Sequence, residues 1–254
     1  MLPSAPSPMR PPVDTINAPS FPDGLTWLNV APLRIEKQAG RPILVDFWDI
    51  CRPESISLIP HLSRWHREYG PLGLRVISVH SPGHPFAADP AVVEQAVGDL
   101  AVEHPVALDP DFECWQAYDN PGWPARYLFA PGLTLVDVHH GAGGVRETET
   151  EIRRQLGLDG DPGPDCPPTD GDDLLVVPSP PRAGNGSGPY AAGEVWGIFT
   201  GPGVAVVNGE EIPVTRAGAT RLARHPNHCE AVLDLRPEGA LEVVETVFLP
   251  GPPA

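Results

Sequence analysis

Two short apolar runs bracket a segment with helical spacing, and this pattern constrains the fold more than any other feature of the chain. Ile43 to Trp48 (ILVDFW) and Leu74 to His80 (LRVISVH) are nearly continuous in apolar residues. Strands buried on both faces read that way, because helices cover each side of a parallel sheet. Between the runs, Leu58, Leu62, Trp65 and Tyr69 recur at helical spacing, so 54–69 is expected as an amphipathic helix with Pro60 inside it. Val92, Val93, Ala96, Val97 and Leu100 mark a second helix. HPVALD, ARYLF and LTLVDVHH supply further strands, and ETETEIRRQLG a last helix ending near Gly157. Alternating strands and helices predict an α/β domain with a partly parallel central sheet.

Beyond residue 158 the texture changes. The chain holds 35 prolines and 26 glycines, many of them before residue 20 and around 159–190. The expected organisation is a flexible N-terminal arm (1–20), an α/β domain (21–158), a Pro/Gly-rich linker (159–191) and a small all-β, sandwich-like domain (192–254). In the last part, EVWGIFT, GVAVV, EIPV, ATRLAR, CEAVLDL and ALEVVETVFL are short runs separated by turn signals, RHPNH among them.

A formal net charge of -16 argues against a nucleic-acid partner, which needs clustered Lys and Arg, and against docking on anionic lipid. The N-terminus has no apolar signal core, and no stretch is long enough to insert in a membrane, so a cytoplasmic location is expected. Cys51, Cys114, Cys166 and Cys229 form no C-x-x-C and no metal-ligand spacing. The histidines His80, His84, His139 and His140 complete no compact metal site. No cofactor or metal is expected.

Several separated motifs, in order, resemble a known family. VDFW followed by a helix containing Pro60 resembles thioredoxins. VHSPGHPFAADPAVVEQAV, HPVALDPDFECWQAYDNPGWPARYLF, HHGAGG and ETETEIRRQL are similar to the thioredoxin-like (redoxin) domain of DipZ-type disulfide-interchange proteins. The resemblance covers about residues 20–158 and implies a thioredoxin-like fold.

It also implies a site. In that family the strand's Trp, here Trp48, leads into C-x-x-C at a helix start, and a proline follows the second cysteine by five positions. Pro60 therefore puts Ser55 in the second cysteine's place and Arg52 in the first's, with Cys51 one position early. Asp46 matches the family's buried acid. Trp123-Pro124 matches its cis-proline loop, which lines a peptide groove. Cys51 lies just before a helix N-terminus and beside Arg52, features that lower a thiol pKa, so it is the candidate catalytic thiol. The alternative is an inert Cys51. Cys114 is either a distant resolving thiol or a packed core residue.

The resemblance thus implies a protein related to thiol-disulfide oxidoreductases and to redox homeostasis, with a degenerate active site. It acts either through Cys51 as a single thiol or as a non-catalytic scaffold or peptide-binding module. Protein thiols or peptides are the expected partners.

Overall fold

The computed structural model describes residues 16–163 and 177–252. The expected arm and linker fall partly outside them. Among the described residues, no helix is long and apolar enough to cross a membrane.

Six strands form the first sheet: β1 (Thr26–Leu28), β2 (Ile43–Trp48), β3 (Arg75–His80), β4 (Val106–Leu108), β5 (Ala125–Phe129) and β6 (Leu135–His140). Their spatial order is β1-β4-β3-β2-β5-β6. The β2–β3 and β3–β4 pairs are parallel, and the outer pairs are antiparallel. β2 is central, and all six of its residues are buried, as its apolar run requires. Strand alternation sends Ile43, Val45 and Phe47 to one core, with Cys114 and Tyr118. Leu44 and Trp48 face the other core.

That second core is built on α1 (Pro53–Tyr69), α2 (Pro90–Asp99) and α4 (Val145–Gln155). α1 runs unbroken through Pro60. Glu149 of α4, fully buried, accepts hydrogen bonds from Tyr69 (2.7 Å) and from both terminal nitrogens of Arg64, tying α4 to α1. A bidentate carboxylate–guanidinium pair satisfies a charge that burial would otherwise penalise heavily. The short α3 (Glu113–Ala117) lies on the opposite face.

The C-terminal region holds β7 (Arg182–Ala183), β8 (Gly188–Phe199), β9 (Gly203–Val207), β10 (Glu210–Val214), β11 (Gly218–Leu233), β12 (Leu235–Pro237) and β13 (Val243–Leu249). They form two antiparallel sheets, β10-β9-β12 and β11-β8-β13-β7. Both enclose one core that includes Val195, Phe199, Ala205, Leu235 and Phe248.

Three expectations need correction. β7 and the first part of β8 occupy residues expected as linker, because Tyr190 fills the β core. Residues 16–20 are anchored rather than a free arm: Ala18 N–H donates to Leu133 C=O (2.8 Å), and Asn17 bridges Thr134. RHPNH is not a turn. β11 runs through it, and its pairing with β8 shifts register between Arg224 and Cys229. A bulge absorbs the proline that would otherwise break the ladder.

The two regions are not separate bodies. Val195 and Phe199 of β8 point into the β core, so Trp196 and Ile198 point the other way. These two, with Ala219 and Val247, belong to the same apolar cluster as α1 and Trp48. The outer face of the four-stranded sheet is covered by the α/β domain.

Candidate functional site

β2 ends at Trp48, and the turn Asp49–Arg52 leads into α1. Asp49 organises this turn. Its carboxylate is fully buried and accepts from Cys51 N–H (3.1 Å) and Gly83 N–H (3.1 Å). Arg52 Nε lies 3.9 Å away, and His80 Nε2 3.5 Å. Ile50 N–H donates to His80 Nε2 at 3.3 Å. Asp49 carries no signal in the sequence, since a lone Asp after a strand has no distinguishing spacing.

Ser55 is buried, and its hydroxyl accepts from Asp49 N–H at 3.3 Å. The Arg52 guanidinium stacks over the Trp123 ring, 5.2 Å from its centroid, and Trp123 in turn leans on Trp115 at 4.5 Å. The Trp123–Pro124 peptide bond is cis. Arg52, Ser55, Trp48 and the Trp123-Pro124 loop are thus gathered at one end of the sheet.

Cys51 lies within this cluster, but it is 1% exposed. Burial pushes its thiol well above the ordinary range, and the neighbouring Asp49 carboxylate adds to the effect. Arg52 and Arg216 pull the other way without prevailing. The direction is opposite to the one expected from a helix start beside Arg52. A cover over the turn and the buried Asp49 carboxylate account for the reversal.

The cover comes from the β region, from the connection after β10 and the first residues of β11. Ala219 N–H donates to Ile50 C=O at 2.8 Å. Gly218 has φ +105, and a Cβ there would sit 2.6 Å from that same Ile50 oxygen. Only glycine fits such a close approach with a positive φ. Gln95 of α2 donates to Thr215 C=O at 3.2 Å. Arg216 is 6% exposed and lies in the fields of Cys51 and of Asp99, the last residue of α2. Residues 215–219 therefore form a lid of backbone and one buried guanidinium over Ile50 and Cys51.

Asp46 lies deeper on β2. Burial pushes its carboxyl up to about 7, opposed by Arg126 and by Ser78, whose hydroxyl lies 3.5 Å away. The Ser78 hydroxyl also meets His104 Nε2 at 2.8 Å. Burial lowers His104 to about 3, so its ring stays neutral. Cys114 is reduced and buried in the core across the sheet from Trp48, and burial raises its thiol too. Cys51 and Cys114 belong to separate clusters, so the fold keeps them apart as candidate redox partners. Among the described residues no three His, Cys, Asp or Glu side chains are grouped as a metal site requires.

The sheet order and the helix that starts after β2 define the class: the α/β part of the chain has a thioredoxin-like fold, in a chain that contains no C-x-x-C. Comparison with known proteins gives particular relatives. The chain is 34% identical over 148 residues to protein DipZ of Mycobacterium tuberculosis, a match covering 57% of this chain and 21% of the relative. It is 25% identical over 130 residues to the thiol-disulfide oxidoreductase YkuV of Bacillus subtilis, covering 51% of this chain and 87% of that one. Among solved structures, a thioredoxin-like protein in its oxidised form superposes with a TM-score of 0.51 at 24% identity, covering 56% and 95% of the two chains. A thiol-disulfide isomerase of Corynebacterium glutamicum gives 0.50 at 20% identity, covering 56% and 99%. The chain spans about a fifth of the length of the DipZ relatives it matches (21%). No family model matches it.

Proposed function

We propose that this protein is a thioredoxin-fold binding module related to the thiol-disulfide oxidoreductases, with no dithiol turnover, whose partners are peptides or proteins. The observation that carries this reading is the sealed Cys51. It is the nearest thiol to the positions expected for a redox pair, yet it is 1% exposed and held protonated by burial. A thiolate is the reactive species in disulfide exchange, and a raised pKa removes it at neutral pH. Arg52 and Ser55, which hold the two expected cysteine positions, have taken other work: stacking on Trp123 and bonding Asp49 N–H.

The single-thiol reading has one observation in its favour. Arg52 and Arg216 both bring positive charge to Cys51. It would require the 215–219 segment to withdraw.

Two measurements test the proposal. Insulin reduction with dithiothreitol should run at the uncatalysed rate. Alkylation followed by peptide mapping should show Cys51 unmodified in the native protein at pH 8 and modified promptly in denaturant. Prompt native modification of Cys51, or insulin turnover abolished by Cys51→Ser, would restore the single-thiol reading.

A further inference from the structure

The α/β and β regions leave a groove where they meet, beside the lid but separate from it. It is a cavity of about 860 Å³ between α1 on one side and β8 and β11 on the other. Ile56, Ile59 and Trp196 give it an apolar floor; Arg67, Arg221 and Arg224 stand on its rim. All three arginines are exposed. On a chain with a net charge of -16 this concentration of positive charge is out of character.

The arginines are under-neutralised. Arg221 (3.5 Å) and Arg224 (3.4 Å) share a single carboxylate oxygen of Glu194. Arg67 has no ion pair among the described residues. Arg221 also lies over the Trp196 ring, 5.7 Å from its centroid, which fixes it beside the groove floor. Trp196 is itself fixed, its indole N–H donating to Glu194 at 2.9 Å. Exposed ion pairs of this kind contribute little to stability, so a second carboxylate entering the groove meets guanidiniums with spare donors.

We propose that this groove docks an acidic peptide segment, with Asp or Glu side chains on the three arginines and an aliphatic side chain on the Ile56–Ile59–Trp196 floor. The proposal deepens the binding-module reading above and rests on it. A mixed floor of apolar area and rim charge suits a peptide better than a small inorganic anion, which needs donors converging on one point. Because both regions contribute, the site exists only when the two are docked.

The test is fluorescence anisotropy of the full chain with a labelled peptide alternating Glu and Leu, and with its Lys/Leu counterpart. The Glu/Leu peptide should bind, weaken steeply between 50 and 300 mM salt, and lose at least tenfold in affinity in Arg67→Glu and in Arg224→Glu. Arg154→Glu, on α4 outside the groove lining and, among the described residues, ion-paired with Glu151 alone, should bind as wild type. Equal binding of both peptides, unchanged affinity in the two groove variants, or full displacement of the probe by equimolar tripolyphosphate would each overturn the proposal. Insulin and alkylation results bear on the absence of thiol chemistry, and the titration bears on the groove alone, so the two readings fail separately.

Discussion

Asp46 is an acid whose burial costs more than its neighbours return. Its carboxyl titrates near 7 in the folded protein, against an ordinary 3.8. The folded state therefore holds a proton that the unfolded chain has lost between those values. Stability contributed by this residue falls as pH rises from about 4 to about 7 and is level above that. The full swing is on the order of 4 kcal/mol, from the shift of about three units. Asp46→Asn should leave stability at pH 3.5 nearly unchanged and raise it by about 1–3 kcal/mol at pH 8. Denaturant melts of both proteins at the two pH values check this, and a variant less stable at pH 8 would refute it. His104, pushed down to about 3, works in the opposite sense below about 6.5 and cancels in the comparison. Much at this scale was legible in the sequence. The register from Pro60 singles out Arg52 and Ser55, which stand at the start of α1 with contacts to Trp123 and to Asp49 N–H. Asp49 escaped because its importance comes from partners 2 and 34 residues away.

Two strands taught the most at the scale of elements. β8 carries a five-residue run, Val195 to Phe199, that is buried throughout. The same rule that identifies β2 as doubly covered applies to it, so its contact with a second layer is legible in the sequence. β11 was not readable in the same way. RHPNH has turn composition, and only tertiary pairing with β8 carries the strand through it. The start of β11 gives a sharp prediction. Gly218→Val combines a strained positive φ, costing about 1–3 kcal/mol, with a clash against Ile50 C=O. It should lower the melting temperature by several degrees and speed Cys51 alkylation at least tenfold. Gly98→Ala, in α2 with open space around it, should do neither and should add about 0.5–1 kcal/mol of helix stability. If Gly218→Val leaves Cys51 as protected as wild type, the lid is not what shields it.

At the scale of the whole molecule, one apolar cluster contains residues of α1, α2, α4, β8, β11 and β13. Ile198 is fully buried in it, and Trp196 and Val247 are nearly so. Each large apolar side chain removed from water there contributes about 1.5–3 kcal/mol to holding the regions together. Unfolding should accordingly be a single transition, with far-ultraviolet circular dichroism and tryptophan fluorescence giving coincident curves. Two resolved transitions would show the regions to be energetically independent. The sequence divides the molecule in two because proline and glycine mark where chain direction is free to change. They carry no information about whether the flanking parts touch.

A protein engineer would read the Pro/Gly-rich stretch after residue 158 as an invitation to cut. The shared cluster turns that cut into a wound. The N-terminal piece would present Ile50, Ile59 and their neighbours to water, and the C-terminal piece would present Trp196 and Ile198. Each piece would carry an oily face that its own fold cannot hide, and each would stick to whatever apolar surface it next met.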